Sequence, residues 1–401
     1  MRILFITSRS PFSPTRGDTL RAYHQMRVLA RRHELTLVAP LGPGAPDAEA
    51  AEVPCEAVSV PWSRRRGVAR LAWAPVTGFP LQVLYVYPPR THTVVSRLLA
   101  GGRFDLAHVQ LLRMAPVLDA ITVPCVLDYQ DAFSLNVRRR AEMARGPRSW
   151  ALRCEAGRLR RYEQLVAGKA VFTTVTSAAD REALGDPPNC VVIPNGVDVE
   201  RFRFEPARPA SNDIVFSGRM SYPPNADAAA WFAGCIFPRV RAAVPGARFL
   251  IVGADPPPRL RRLQGVDGVV VTGRVPSVAD HLARAAVAVA PLRCATGIQN
   301  KALEAMAVGT PVVTTPAVAR GIDATPGRHL LVGTTEEELA GHVRRLLEDP
   351  AAAAAMASRA RALVESQYTW EQTVAALEHV YDAASSAAWT PEPWALQPVP
   401  I

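Results

Sequence analysis

Short apolar runs recur along the chain, and between them apolar residues return at helical spacing. In the first half the runs are RILFIT (2–7), ELTLVAP (34–40), FDLAHV (104–109), PCVLDY (124–129) and VFTTVT (171–176), with an amphipathic stretch over 18–32 after the first. Runs this short and rich in β-branched residues predict buried strands, and their alternation with helical patterns predicts parallel sheets built from β-α-β units. The pattern restarts after residue 211 with DIVFSG, ARFLIVG, GVVVTG, AVAVAP and PVVTT, each followed by a helix or a turn. Between the two sets lies IPNGVDVERFRFEPARPASN, where Asn195-Gly196 marks a turn and the prolines oppose regular structure. The expected class is α/β, with two doubly wound Rossmann-like domains over residues 1–197 and 212–368 and a linker over 198–211. A helix over 369–384 and a Pro-rich tail over 385–401 follow.

At 401 residues the chain exceeds what one hydrophobic core normally serves, and 49% hydrophobic with 20% charged residues is an ordinary soluble-globular balance. The formal net charge is +10, and +8 of it falls in the first half: 26 Lys+Arg against 18 Asp+Glu in residues 1–200, then 20 against 18 in 201–401. A basic surplus confined to one domain suits an anionic surface or an acidic substrate. No helix-turn-helix, zinc-finger or aromatic RNA-binding pattern accompanies it, so nucleic acid is not an expected partner. Cys55, Cys125, Cys154, Cys190, Cys235 and Cys294 are scattered without a C-x-x-C pair, which favours reduced thiols over disulfides or zinc. No apolar stretch approaches the roughly 20 residues that cross a bilayer, and Ile3 to Ile6 is too short for a signal-peptide core. The expected location is cytoplasmic.

The most specific chemistry lies in GIQNKALEAMAVGTPVV, residues 297–313. It reads as a polar loop, a helix, a Gly-Thr-Pro turn and a strand, with Lys301 and Glu304 one helical turn apart. The free N–H groups and positive dipole end of a helix start suit a phosphate or pyrophosphate. A carboxylate one turn further in can accept hydrogen bonds from two sugar hydroxyls. The same run also fits an ordinary amphipathic helix with Leu303, Met306 and Val308 in a core. LEAMAVGTPVV resembles the second half of the signature of glycosyltransferase family 4, retaining enzymes with the GT-B fold, and Glu304 matches the second glutamate of that signature. The first glutamate, eight residues earlier, is replaced by Thr296. A sub-branch with a Gly-x-Gln-Asn-Lys run before Leu-Glu-Ala-Met-Ala lacks it too, and Gly297, Gln299, Asn300 and Lys301 fit that run. The resemblance spans most of residues 1–383 and is strongest over 190–315. It implies two domains facing across a cleft, a nucleotide-sugar donor on the second, an acceptor on the first, and a last helix crossing back to the first. Donor contacts are then implied for Thr296, Gly297, Ile298, Gln299, Asn300, Lys301 and Glu304.

FSGRM (216–220) places Gly218 and Arg219 at the carboxyl end of a strand, where open α/β sheets bind ligands. Arginine holds two phosphate oxygens in a planar fork, and the glycine admits a close phosphate. The family's usual lysine a few residues later is missing from SYPPNADA, and Lys301 is expected to supply its charge. VTGRVP (271–276) resembles the family's loop beside the nucleotide base, with main chain around Arg274 and Val275 on the base edge. In the first domain Gly17 and Asp18, with Arg21, His24 and Gln25, open the first helix, while LDYQDAFS (127–134) sets Asp128 and Asp131 at a strand end. The resemblance makes Gly17, Asp18, Arg21, His24, Asp128 and Asp131 acceptor-side residues; taken alone, Asp18 equally fits a helix cap and Asp128 a turn. His108 reads as structural.

No nucleophile and base announce themselves and no Asp-x-Asp motif appears, so neither a metal nor another cofactor is expected. The resemblance implies same-face attack, with the leaving diphosphate helping to take the acceptor's proton. Catalysis then rests on charge stabilisation by Arg219 and Lys301 and positioning by Asp131. A nucleotide-binding dehydrogenase shares the alternation but needs G-x-G-x-x-G after its first strand, where this chain has SRSPFSPTRGD. Two other readings share the fold: a nucleotide-sugar epimerase, and a non-catalytic nucleotide-sugar-binding protein suggested by Thr296. PWSRRRGVARLAWAP (61–75) sets Arg64, Arg65 and Arg66 among Trp62, Val68, Leu71 and Trp73. It fits peripheral contact with an anionic membrane or an exposed helix with inward aromatics, and Arg138, Arg139 and Arg140 add to the basic character. The expectation is a retaining hexosyltransferase that uses a nucleoside-diphosphate sugar. Its acceptor would be a glycan or a polyprenyl-linked sugar, in exopolysaccharide or cell-surface glycan assembly at the inner face of the cell membrane.

Overall fold

A computed structural model describes the chain except residues 13, 15, 41–51, 205–210 and 388–401. The chain divides into two units: Met1–Pro194 joined by the segment from Trp370, and Asn195–Thr369. The expected linker, 198–211, thus begins inside the second unit, and its residues 205–210 lie outside the described residues, as does most of the expected tail.

In the first unit, seven strands form one parallel sheet: β1 (Arg2–Ile6), β2 (Glu34–Ala39), β3 (Glu56–Ser59), β4 (Leu106–Gln110), β5 (Cys125–Gln130), β6 (Phe172–Val175) and β7 (Cys190–Val192). Their order is β3-β2-β1-β4-β5-β6-β7. Ile3, Leu4, Phe5 and Ile6 are all fully buried. Successive residues of a strand point to opposite faces, and here both faces are covered, which explains a continuous apolar run rather than an alternating one. Leu4 and Ile6 join one core cluster, Ile3 and Phe5 the other. Helix Trp370–Ser386 covers the Ile3 and Phe5 side with Trp370, Val374, Leu377 and Tyr381, residues at one-face helical spacing. His24 of helix Gly17–Leu29 stacks on Trp370 at 4.7 Å between ring centroids, and the Tyr381 hydroxyl lies 2.8 Å from His108 Nδ1.

Six parallel strands make the sheet of the second unit: β8 (Asp213–Ser217), β9 (Arg248–Val252), β10 (Val269–Gly273), β11 (Val287–Ala290), β12 (Val312–Thr314) and β13 (Leu331–Val332). The order is β10-β9-β8-β11-β12-β13. Helix Asn300–Val308 buries Leu303, Met306 and Val308 and ends at Gly309, whose φ of 82° is left-handed, the usual stop for a helix. Every expected strand is present, whereas β3, β7 and β13 were not anticipated. β3 is an edge strand with an exposed pattern, and β7 and β13 span three and two residues, too short for a periodic signal. In each sheet the strand order reverses once, between β1 and β4 and between β8 and β11. Open parallel sheets bind ligands at the carboxyl ends of the strands beside such a reversal.

Candidate functional site

In the second unit the reversal brings the loop after β8 against the loop and helix after β11. Gly218 has φ +152° and its N–H donates to the Val252 carbonyl at 3.0 Å. Gly253, just past β9, approaches so closely that a Cβ there would sit 1.8 Å from the Gly218 carbonyl oxygen. A Cβ on Gly218 itself would lie 2.8 Å from Asn225 Nδ2 and 3.3 Å from Lys301 Cε. The two glycines therefore make the room in which Lys301 meets the β8 loop. Lys301 Nζ donates to Asn225 Oδ1 at 3.0 Å and to Gln299 Oε1 at 3.3 Å, and it stands 5.7 Å from the centre of the Phe216 ring. The buried Asn225 also donates through Nδ2 to the Arg219 carbonyl at 2.9 Å, tying the lysine to the loop that presents the arginine.

Burial brings the Lys301 ammonium down to about 8, with Glu304 opposing. The Glu304 carboxyl is raised, first by burial, against the pull of Lys301 and Arg201, and no hydrogen bond to it occurs among the described residues. Arg219 is exposed, with Nε on Ser221 Oγ and Nη2 on Asp255 Oδ2, both at 3.0 Å. Exposed pairs of this kind contribute little, so an incoming anion can replace Asp255 at small cost. Gly297 has φ +61°, and a Cβ on Gly321 would meet its carbonyl oxygen at 2.4 Å, so the loop is pinned from both sides. Thr296 is buried with its carbonyl accepting from Gln299 Nε2 at 2.9 Å, and Asn300 Oδ1 accepts from Asn195 Nδ2 at 3.0 Å. The Ile298 side chain is in the core, which leaves its main chain for the expected donor contact. Arg274 is exposed beyond β10, while Val275 packs against the core.

In the first unit the residues expected on the acceptor side separate into two groups. Arg21 and Asp128 are both 0% exposed and bonded to each other, Nε to Oδ2 at 2.7 Å. Thr174 Oγ1 donates to Asp128 at 3.0 Å, and Arg21 Nη1 donates to the Pro194 carbonyl at 3.3 Å. Burial would raise the Asp128 carboxyl, but the Arg21 charge and the hydrogen bonds from Arg21 and Thr174 hold it below its ordinary range. Arg21, Asp128 and His24 are thus interior, and direct acceptor contact through their side chains is corrected to an internal bracing of β5 against the first helix. His108 is fully buried and stacked on Phe5 at 4.3 Å, and burial takes its imidazole down to about 4, so it is neutral and structural as expected.

Asp131 is half-buried just past the end of β5, accepting from Thr176 Oγ1 at 3.3 Å, and its carboxyl is pushed up to about 7 by burial and then by Asp180. Gly17 is exposed, and beyond its chain neighbours and its own helix backbone no atom among the described residues comes within 4 Å of a Cβ placed there. Asp18 is not a helix cap: its carboxylate pairs with Arg9 and lies 4.0 Å from Arg113 Nη1. Sequence reasoning missed Asn225, Arg9 and Arg113. Arg9 and Arg113 follow β1 and β4, whose carboxyl ends flank a reversal that only the strand order reveals, and Asn225 near the start of helix Pro223–Trp231 carried no signal of its own. Among the described residues no three His, Cys, Asp or Glu side chains converge as a metal site would require.

The family model "Glycosyltransferase Family 4" matches residues 17–201, and "Glycosyl transferases group 1" matches residues 211–349. A phosphatidyl-myo-inositol mannosyltransferase of Mycolicibacterium smegmatis is 27% identical over 372 residues, covering 88% of this chain and 86% of that protein. A GDP-mannose-dependent monoacylated alpha-(1-6)-phosphatidylinositol monomannoside mannosyltransferase of Corynebacterium glutamicum is 28% identical over 214 residues, 48% of this chain and 55% of that one. Among solved structures, sucrose-phosphate synthase from Thermosynechococcus elongatus superposes with a TM-score of 0.72 at 18% identity, over 96% of this chain and 98% of the other. The chain is a glycosyltransferase of the GT-B fold and the hexosyltransferase type, carrying a family 4 domain followed by a group 1 domain.

Proposed function

We propose that this enzyme moves a hexose, with retention of anomeric configuration, from a nucleoside-diphosphate sugar bound to the second unit onto a glycan or lipid-linked acceptor bound to the first. The observation that carries the reading is the joining of Lys301, Gly218 and the Arg219 loop at one strand-order reversal, with Glu304 one helical turn from Lys301. As the glycosidic bond breaks, negative charge grows on the diphosphate. Lys301, Arg219 and the N–H groups opening helix Asn300–Val308 are placed to stabilise it more in the transition state than before. Two fixed cations supply positive charge of the kind a divalent ion would bring, so turnover is expected to survive chelation. Glu304 takes the donor's ribose hydroxyls. Asp131, poised near neutrality, orients the acceptor hydroxyl toward the leaving oxygen.

The relatives' names favour GDP-mannose as the first donor to assay and a lipid-linked acceptor. A membrane surface fits the segment around helix Arg64–Arg70, where Arg64, Arg65 and Arg66 are exposed beside Trp62 at 40%, Trp73 at 50% and Val76 at 72% exposure. Large apolar groups standing out among arginines suit the interface of an anionic bilayer. No helix among the described residues is long and apolar enough to cross a membrane. Polysaccharide or cell-surface glycan assembly at the cytoplasmic face is the setting this reading implies.

Product analysis with radiolabelled GDP-mannose and then UDP, ADP and dTDP sugars tests it: transferred sugar is expected. An epimerised donor would support the epimerase reading, and donor binding without any product the non-catalytic one. Glu304→Gln is expected to weaken donor binding by roughly 10- to 100-fold, since a hydrogen bond to a charged group is worth about 1.5–3 kcal/mol. Unchanged donor affinity would remove Glu304 from the site.

A further inference from the structure

The first unit repeats, at its own strand-order reversal, the arrangement that marks the donor site. Arg9 follows β1 and Arg113 follows β4, the two strands between which the order reverses. Both guanidinium groups converge on one oxygen of Asp18: Arg9 Nη1 hydrogen-bonds to Oδ2, and Arg113 Nη1 lies 4.0 Å from it. Two cations share one anion, leaving a net positive charge where ligands enter parallel sheets. The Arg113 side chain is 20% exposed, braced by Gln82 Oε1 at 3.1 Å from Nε and by the Phe133 ring 5.0 Å from Cζ. Its Nη1 makes no hydrogen bond among the described residues. Gln110 Nε2 holds the Asp18 carbonyl at 3.1 Å, which keeps the carboxylate in place.

We propose that Arg9 and Arg113 form a subsite for a phosphate group on the acceptor, with Asp18 as the internal counter-charge that keeps the two guanidinium groups converged. It rests on the assignment of the acceptor to the first unit. The chemistry is that of a phosphate ester: its tetrahedral oxygens can accept from both forks, whereas the single Asp18 oxygen between them cannot satisfy both. Burial first, and then the like charge of Arg9, draw the Arg113 guanidinium down to about 10 against the pull of Asp18, and a bound anion would favour its charged form. Asp131 is near enough to act electrostatically on Arg113. Asp18 opposes the incoming anion, so affinity depends on the two arginines outweighing it.

The test uses the full chain in the Arg219→Ser Lys301→Met background, which removes the two cations of the donor site. Calorimetric titration with inorganic phosphate and with glycerol phosphate is expected to show binding, weakened roughly 10- to 100-fold by Arg9→Ser or Arg113→Gln. Arg9 is the more exposed, so Arg9→Ser carries the test if Arg113→Gln misfolds by circular dichroism. Sedimentation with phosphatidylinositol vesicles, compared with phosphatidylcholine, separates the sources. Arginine-dependent retention points to a lipid headgroup, and glycerol phosphate binding without it to a soluble phosphate ester. Phosphate binding indifferent to Arg9→Ser, or none at all, overturns the subsite. GDP and UDP titrated against the otherwise unaltered chain report on the donor site alone, so failure there indicts the proposed function and not Arg9 and Arg113.

Discussion

Replacing Arg21 by methionine separates an internal brace from a substrate contact. The Arg21 and Asp128 side chains are both fully buried, with Nε 2.7 Å from Oδ2. At that distance and an effective dielectric constant of about 20, the attraction is on the order of 6 kcal/mol. Methionine returns about 1–2 kcal/mol through apolar burial, and Asp128 keeps its hydrogen bonds from Thr174 Oγ1 and the Gln130 N–H. The net loss expected is about 3–5 kcal/mol, the usual cost of leaving one member of a buried pair alone, against a total stability of about 5–15 kcal/mol. The pH dependence follows from the depressed Asp128 carboxyl. A carboxyl held below its ordinary value stabilises the native state above that value and loses this contribution as pH falls. The gap between Arg21→Met and the parent is therefore expected to persist from neutral pH down to about 4 and to shrink only below it, as pH falls through the depressed Asp128 carboxyl. Urea unfolding of parent and variant, followed by circular dichroism, measures it. The double variant Arg21→Met Asp128→Leu is expected to recover most of the loss. A loss under about 1 kcal/mol, or a variant of parental stability with only a raised acceptor KM, would refute the bracing argument and return both residues to the acceptor site.

Three further outcomes follow from the same geometry. Asn225→Ala removes the 3.0 Å acceptor of Lys301 Nζ and the tie to the Arg219 carbonyl, and is expected to lower kcat/KM for donor roughly tenfold while Asn225→Asp retains tight donor binding at higher pH; equal pH profiles for both would argue against a positioning role. The Lys301 ammonium sits at about 8, so kcat/KM is expected to fall as pH rises through 8, with the limb displaced upward in kcat because a bound diphosphate favours the charged form, and to disappear in Lys301→Arg. Arg64→Ser Arg65→Ser Arg66→Ser is expected to weaken sedimentation with anionic liposomes, as high salt does, with donor binding unchanged; identical recovery with neutral and anionic liposomes would return this segment to a solvated face.

The ten apolar runs were legible as strands because residues such as Ile3 to Ile6 are buried on both faces, and burial on both faces leaves an unbroken apolar signature. Their alternation with helical patterns carried the α/β class, and GIQNKALEAMAVGTPVV pointed to the loop proposed for the donor, because that chemistry is local: a helix start, a lysine and a carboxylate one turn apart need no distant partner to be recognised. Burial and partnership were another matter, since they depend on residues far apart in the chain. Arg21 and Asp128 look like a polar cluster at strand ends, yet 107 positions apart they close on each other in the interior. Ile298 sits within the donor motif but belongs to the core. Asn225 becomes meaningful only when the start of a helix 76 residues away delivers Lys301 to it, and Arg9 and Arg113 only when strand order places β1 beside β4. Sequence alone determined which elements form and what chemistry one loop can offer; tertiary structure decided which charged groups are spent on one another and which remain for a ligand, because a charge is worth most where distant segments have removed water from around it.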